Sequence, residues 1–302
     1  MSGCRKAIRV GLLLEKKDMK VSNVIAMLLI SAILCSCNSE QLCNEHSVQD
    51  DAIAIETVKS DLMQLNDSYL PLSSNQKRMP KWLRWLIFGA ADTAGAIFGG
   101  VGGACSASTL AWTVTKQEMS NTQNGTSSTA HIATPLKSNY LKGITPGSAG
   151  YIHNAVISSA FNMNNNICEL RDEEIFSVVF CALEKETGNT LSNTEKSRII
   201  DCTNTIINSF DVNKSVSEYI DDLILQTTNQ QKKYALDVCK TVLDGLQYID
   251  DTDTTYVKSV TETISNSNLS KELKKSIMDG ISIADASAKL WNTSEIVSIP
   301  AK

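Results

Sequence analysis

Small residues recur at four-residue steps in the stretch 81–115, and this spacing constrains the fold more than any other feature of the chain. The residues are Ala91, Gly95, Gly99, Gly103, Ala107 and Ala111. In an α-helix, residues four apart lie on one face, so the pattern predicts a nearly continuous groove of small side chains. Each glycine inside a helix costs about 1 kcal/mol relative to alanine. We therefore expect tight packing against another element, because a lone exposed helix would not tolerate this cost.

Two interpretations of this glycine-zipper-like segment stay open at the level of sequence. In the first, residues 82–114 are membrane-active and insert or oligomerise, with Trp82 and Trp85 at the bilayer interface. In the second, they form a buried helix, or a helical hairpin that turns within 99–103. The second is favoured because Asp92 is costly in lipid, and because apolar residues never run unbroken for about 18 positions.

The N-terminal part of the chain has the order of a secretory signal. Lys20 precedes an apolar run at 24–34, which ends in Leu34-Cys35-Ser36-Cys37. A basic residue, a short apolar run and small residues at the end are typical of a cleaved signal. The ending resembles the lipobox of bacterial lipoproteins. This resemblance implies cleavage between Ser36 and Cys37, and attachment of a fatty-acid-bearing diacylglycerol to Cys37.

The same resemblance implies a location and a processing scheme. The residue after Cys37 is Asn38, not the aspartate that favours inner-membrane retention in this family. We therefore expect a cell-envelope protein anchored in the outer membrane by its lipid, with the side that it faces left open. Residues 19–36 would form the signal peptide, and residues 1–18 an extended or spurious N-terminus. Both would be absent from the mature protein.

The charge balance restricts the classes of partner. The chain has a formal net charge of −5 and 6% aromatic residues, and loss of the basic first 36 residues would make the remainder more acidic. An acidic body without a basic cluster argues against binding to nucleic acid. We expect contact with the membrane through the N-terminal lipid, and an unknown protein or glycan as the partner.

The rest of the chain divides by composition. We predict a tether with a short helix at 37–80, a polar linker at 116–149 and a compact α-helical domain at 150–302. Within the first of these, the pattern predicts a helix over 52–65 that ends at the polar residues 66–68. The fold class is therefore mainly α.

Helix signals in the C-terminal domain recur at short intervals. Ser192-Asn-Thr-Glu195 and Ser215-Val-Ser-Glu218 are capping boxes, in which a serine begins a helix and a glutamate three residues later closes the cap. Apolar stripes at helical spacing follow both boxes. We expect six or seven helices in this domain.

Cysteine and histidine are the residue types most relevant to chemistry. Outside the signal segments and Cys37, six cysteines are left: Cys43, Cys105, Cys168, Cys181, Cys202 and Cys239. In an exported protein they permit up to three disulfide bridges, and the alternative is buried thiols that act as small hydrophobic groups. The histidines, His46, His131 and His153, lie far apart, and none has metal-ligand spacing to a cysteine.

His153 beside Asn154 is the nearest approach to a catalytic pattern. A capping or core hydrogen-bonding pair is the favoured interpretation, because an enzyme would need a cleft that gathers His153, a cysteine and a carboxylate. The chain contains no phosphate loop, dinucleotide fingerprint or zinc-protease motif. We predict no catalytic, cofactor or metal site, and a non-enzymatic binding or structural role. A membrane-active protein is the second hypothesis and an enzyme the third.

Overall fold

The computed structural model describes residues 45–73, 86–122, 140–246 and 255–293. Within these ranges the chain forms nine α-helices and no β-strand, so the predicted mainly α fold is confirmed. The signal segments, Cys37, Cys43 and the Trp82–Trp85 pair lie outside the described residues.

The helices follow one another with short connections. They are α1 (Glu45–Ser73), α2 (Leu86–Thr122), α3 (Ala149–Met163), α4 (Asp172–Thr187), α5 (Asn193–Ser209), α6 (Val216–Gln226), α7 (Gln230–Leu246), α8 (Thr255–Asn266) and α9 (Lys271–Thr293). A short 3-10 helix, Ile167–Glu169, joins α3 to α4. Seven α-helices therefore lie in the described part of the predicted C-terminal domain, and the first begins at Ala149, one residue from the expected boundary.

Both predicted capping boxes are present. Ser192 Oγ accepts a hydrogen bond from Glu195 N at 3.2 Å, and Glu195 Oε2 accepts one from Ser192 N at 2.8 Å. Ser215 and Glu218 repeat the arrangement at the start of α6, at 3.2 and 2.9 Å. These starts are predictable because a capping box is completed within four consecutive residues and depends on no distant contact.

Helix α1 is longer than the sequence pattern predicts. The expected end at residues 66–68 was wrong, since α1 continues to Ser73. Asn66 is held inside the helix by distant partners: its Nδ2 donates to Thr241 O at 2.9 Å, and its Oδ1 accepts from Tyr256 Oη at 2.7 Å. These tertiary hydrogen bonds outweigh the tendency of asparagine to end a helix.

Asp51 fixes the other half of α1 to the body. This buried carboxylate accepts hydrogen bonds from Ser270 N at 2.6 Å, Ser270 Oγ at 2.7 Å and Gln231 Nε2 at 2.8 Å. Since Ser270 directly precedes α9, Asp51 satisfies backbone donors that the start of this helix leaves open. Helix α1 also packs on α7 and α8. The predicted tether region therefore contributes a helix to the folded body.

Helix α2 is a hairpin that turns at one glycine. Gly100 has φ 63° and ψ −159°, a backbone conformation that is essentially restricted to glycine. Residues equally distant from Gly100 meet across the turn: Ser108 Oγ donates to Asp92 Oδ2 at 3.0 Å, and the ring centroids of Phe88 and Trp112 are 6.0 Å apart. The α2 hairpin thus consists of two antiparallel limbs, residues 86–99 and 101–122.

The small residues lie where the limbs and their neighbours approach most closely. A Cβ atom added at Gly95 would lie 2.6 Å from Ala104 Cα, and one added at Gly103 would collide with the carbonyl oxygen of Gly95. Gly99 instead faces α5, where an added Cβ would lie 2.6 Å from Cys202 Sγ. The remaining small residues of the pattern, Ala91, Ala107 and Ala111, are buried. The stripe is therefore folded back on itself, and the continuous groove expected of a straight helix is not formed.

The α2 hairpin lies at the centre of the body. It packs against α9, α5, α3, α4 and α7. Trp112 on its second limb stacks on Trp291 of α9 with ring centroids 4.9 Å apart, and Phe88 on its first limb lies 5.7 Å from the same ring. The small-residue segment is thus in contact with most helices of the predicted C-terminal domain.

Among the described helices, one stretch is long and apolar enough to cross a membrane. It is Leu86–Thr115, a stretch of 30 residues whose most apolar 18-residue window has a mean hydropathy of 1.3. In the most apolar window of this stretch, 83% of the residues are buried inside the protein. By length and composition alone, a core helix of a soluble protein passes the same test.

Replacing Gly103 by alanine should destabilise the fold strongly. The added methyl group would collide with the backbone of Gly95, which cannot move aside without separating the limbs. Overpacking of this kind costs about 1–3 kcal/mol. We expect a loss of unfolding free energy in the upper part of this range, measured by urea denaturation.

The matched control is Gly89→Ala. Gly89 lies in the same hairpin, but its added Cβ would lie an ordinary 3.8 Å from the nearest atom of another helix, Ala284 O. Because alanine has the higher helix propensity, this variant should gain up to about 1 kcal/mol. Equal destabilisation by both substitutions would contradict the close contact between the limbs.

Candidate functional site

A cluster of polar side chains lies in the core where the α2 hairpin meets α3 and α9. We call it the Asp92 cluster; its members are Asp92, Ser108, His153, Asn154 and Ser287, all of them 0% exposed. Asp92 Oδ2 accepts hydrogen bonds from Ser108 Oγ and from Ser287 Oγ. His153 Nε2 lies 3.5 Å from the same oxygen. One carboxyl oxygen therefore joins both limbs of the hairpin to two further helices.

The orientation of Asn154 determines the tautomer of His153. Asn154 Nδ2 donates to two backbone carbonyls, Tyr140 O at 3.0 Å and Ala286 O at 2.9 Å, so its Oδ1 must point towards the histidine. His153 Nδ1 lies 3.0 Å from that oxygen. Since an amide oxygen only accepts, Nδ1 carries a proton. In the neutral ring, Nε2 is then the acceptor that faces Asp92.

This arrangement requires that Asp92 and His153 together hold one titratable proton. If Asp92 were ionised and His153 neutral, lone pairs on Oδ2 and Nε2 would face each other at 3.5 Å. Among the described residues, neither Nε2 nor Asp92 Oδ1 has a hydrogen-bond partner that could relieve this repulsion. A single proton held by the pair removes the conflict and leaves the cluster with no net charge.

Burial favours the uncharged form of both Asp92 and His153. Loss of solvation raises the pKa of Asp92 to about 8, opposed by the hydrogen bonds from Ser287 and Ser108. Loss of solvation also lowers the pKa of His153 to about 4, opposed by its hydrogen bond to Asn154. A buried site disfavours the charged form of each group. At neutral pH the pair is uncharged overall.

Cys105 supplies the cysteine that the enzyme hypothesis requires beside a histidine and a carboxylate. Its position is not that of a catalytic nucleophile. The structure gathers His153, Cys105 and Asp92, and all three have no exposed surface. Cys105 Sγ donates to the backbone oxygen of His153 at 3.8 Å, not to the ring. Burial, and after it the neighbouring Asp92, raise the pKa of the Cys105 thiol well above its usual value. An activated cysteine needs a lowered pKa and access for substrate, so this thiol is not poised for catalysis.

Sequence reasoning identified His153 with Asn154, but missed their partners. The favoured interpretation of a core hydrogen-bonding pair describes what the structure contains. Asp92 was noted only for its cost in lipid, and Ser287 was not singled out at all. One signal was present, because a lone carboxylate in an apolar segment requires a polar partner when it is buried. Nothing in the sequence indicated that the partner lies near the last described helix.

A surface groove of about 680 Å³ is a second candidate region. It lies between α1 and the end of α8, and is lined by Asp50, Ile53, Ala54, Thr57, Val58, Asp61, Thr263, Asn266, Ser267 and Asn268. Ile53 is 70% exposed there. Its lining combines carboxylates, hydroxyls and amides, and includes no histidine or cysteine.

The described cysteines do not form the framework of three bridges that the sequence permits. Cys105 and Cys239 are buried thiols, and Cys181 is an exposed one. Cys239 Sγ donates to Ile277 O at 3.9 Å, and burial raises its pKa to about 12. The alternative interpretation, buried thiols that act as small hydrophobic groups, applies to Cys105 and Cys239. Among the described residues, no group of three or more histidine, cysteine or acidic side chains could hold a metal ion.

Comparison of the chain with protein-family models, with curated proteins and with solved structures finds no match. The candidate function therefore depends on the residues and their geometry.

The stability of the protein should fall as pH rises from 6.5 to 8. Asp92 has a pKa of 3.8 when exposed and about 8 when folded, so its contribution is complete below the first value and is lost as pH rises towards the second. His153 acts oppositely: its contribution is lost as pH falls from 6.5 to about 4. Between about pH 4 and pH 6.5 the two contributions to the free energy of unfolding change with pH in opposite directions and cancel. Above 6.5 only the Asp92 slope is left, and we expect the unfolding constant to rise about tenfold per pH unit in urea denaturation.

Asp92→Asn is the control for this pH dependence. An asparagine has nearly the same shape and can donate an amide hydrogen to His153 Nε2, but it does not titrate. The variant should show no slope between pH 6.5 and 8, and should lose stability as pH falls below 6.5. A slope above pH 6.5 that persists in the variant would refute the assignment to Asp92.

Proposed function

We propose that this protein is a lipid-anchored lipoprotein of the bacterial cell envelope with a non-enzymatic binding or structural role. The proposal joins the lipobox-like ending at Cys37 to a body that is mainly helical where the structure describes it. The N-terminal lipid would hold the protein at the outer membrane. Its partner would be a protein or a glycan, and its acidic surface disfavours nucleic acid.

One observation supports the non-enzymatic role most directly. Asp92, Cys105 and His153, the residues best suited to acid–base or nucleophilic chemistry, have no exposed surface. A general base must come within hydrogen-bond reach of the proton that it removes, and these groups contact only the protein. The groove between α1 and α8 is open to solvent, but it contains none of these residues.

Replacing Cys37 by alanine should abolish attachment of the lipid. Cells that express the whole chain are grown with a clickable fatty-acid analogue, and the immunoprecipitated protein is assayed for label. We expect label in the wild-type chain and none in Cys37→Ala. Cys35→Ala is the matched control and should stay labelled, because Leu34 would be too bulky at a cleavage site before residue 35. Label that persists in Cys37→Ala would overturn the anchor assignment.

A membrane-active role for residues 82–114 is the second candidate. It is supported by the length and apolar composition of Leu86–Thr115, which contains an 18-residue window with a mean hydropathy of 1.3. In the hairpin form, each limb within this stretch is only about 21 Å long at 1.5 Å per residue. This is less than the roughly 30 Å hydrocarbon core of a bilayer. A spanning form would therefore require the α2 hairpin to open at Gly100.

Gly100→Ala separates the two candidates. Alanine adopts the φ of 63° and ψ of −159° at Gly100 only under strain, so the substitution penalises the hairpin and favours a straight helix. If the membrane-active role is correct, the fraction of residues 38–302 that floats with phosphatidylcholine vesicles should rise. Gly89→Ala is helical in both forms and should leave this fraction unchanged. A Gly100→Ala protein that stays folded, monomeric and unbound would exclude the second candidate.

A further inference from the structure

The apolar part of the α2 hairpin, Leu86–Thr115, carries one carboxylic acid and no basic residue. Between Leu86 and Thr115, Asp92 is the only acidic or basic residue in the sequence. A single ionised carboxylate at the centre of a bilayer is expensive, whereas its protonated form is far less so. The state of Asp92 therefore decides whether this 30-residue stretch is a charged or an uncharged segment.

Adding a proton to the Asp92 cluster and removing one have different consequences for the hairpin. With one proton, the Asp92–His153 pair has no net charge and fits its buried site. Removal of that proton places a negative charge on the hairpin itself. Addition of a second proton places a positive charge on His153, which belongs to α3, and leaves Asp92 neutral. Only the protonation of His153 disrupts the packing of the hairpin without placing a charge on the hairpin.

The geometry around His153 makes the second proton costly. Its Nε2 has no hydrogen-bond partner among the described residues, and its ring has no exposed surface. The nearest carboxyl oxygen, Asp92 Oδ2, already accepts from Ser108 and Ser287. Protonation would place a positive charge on this buried ring, with an uncharged carboxyl group at 3.5 Å as its nearest ionisable neighbour. The cost of this uncompensated charge falls on the contact between α3 and the first limb of the hairpin.

Two other buried ionisable side chains of the described core lie close enough to Asp92 to feel its charge. Cys105 and Tyr219 are the other ionisable side chains that interact electrostatically with Asp92, and burial raises the pKa of both well above their usual values. They stay neutral in acid. On α9, Asp285 and Lys289 pair with each other at 2.7 Å. The acid response of the junction therefore belongs to His153.

We propose that protonation of His153 releases the α2 hairpin from the body, and that the released hairpin straightens at Gly100 and enters a lipid bilayer as an uncharged helix. As a straight helix, the 30 residues Leu86–Thr115 extend about 45 Å, enough to cross the hydrocarbon core. Glycine adopts both the folded and the helical conformation at residue 100, so the same chain fits both forms. This proposal rests on the membrane-active candidate and adds its trigger.

The test measures vesicle binding and local opening as functions of pH. Residues 38–302 include every described residue and lack the lipid, so binding reports the hairpin and not the anchor. Phosphatidylcholine vesicles are used because they have no net charge to attract a protein that becomes cationic in acid. Flotation gives the bound fraction, and hydrogen exchange with mass spectrometry follows residues 86–115. Between pH 7 and pH 4 we expect a rise of at least about tenfold in the bound-to-free ratio, as expected when one proton is taken up, together with smaller protection factors for the hairpin amides in the presence of vesicles.

Two variants test the trigger itself. His153→Gln cannot be protonated, so its binding midpoint should move by more than about one pH unit towards acid, or disappear. Asp92→Asn keeps His153 and should retain acid-dependent binding. If His153→Gln does not fold, Asp92→Asn still tests the proposal. Loss of acid-dependent vesicle binding in a folded Asp92→Asn protein would overturn it.

The outcomes separate the trigger from the candidate on which it rests. Equal binding midpoints in wild type and His153→Gln would overturn the role of His153, while the membrane-active candidate would stand. Absence of vesicle binding at every pH, with the hairpin closed to exchange, would reject both. The fatty-acid labelling of Cys37 is independent of either result.

Discussion

The direct contact between the two limbs of the α2 hairpin is the constraint on which the rest of the structure depends. Gly95 and Gly103 bring the backbones together so closely that no Cβ atom fits at either position. This contact fixes the register of the limbs, and the register places Asp92 opposite Ser108 and Phe88 opposite Trp112. The other helices then pack around a hairpin whose polar and aromatic residues already have defined positions. The glycine cost of the segment is offset by packing at its own centre.

The Asp92 cluster shows how a buried ionisable pair is accommodated without a counter-ion from solvent. Ser108, Ser287 and Asn154 each make one hydrogen bond with the pair, and one proton held by the pair removes the repulsion between Asp92 Oδ2 and His153 Nε2. Arrangements of this kind are often taken as signs of catalysis, because burial and close titratable neighbours shift pKa values at active sites. Here the same shifts accompany complete enclosure. The enclosure of the Asp92 cluster, which a substrate cannot reach, distinguishes it from a catalytic site, and the pKa values do not.

The features predictable from sequence were those decided within a few residues. The capping boxes at Ser192 and Ser215 and the apolar stripes of the C-terminal helices belong to this class, and they gave correct starts and a correct fold class. The end of α1 could not be predicted, since Asn66 stays helical only because Thr241 and Tyr256 bind its amide. The central position of the α2 hairpin could not be predicted from the sequence either. A four-residue spacing of small residues is the same for a helix that packs on itself and for one that packs on a partner.

The hydrogen bond between Asp92 and Ser287 joins residues 195 positions apart in the chain. Ser287 and Trp291 lie on α9, the last described helix, so they are synthesised long after the apolar hairpin that they cover. During synthesis the apolar limbs of the hairpin therefore lack their final covering until α9 has been made. The core of this protein is completed by the last helix that the structure describes.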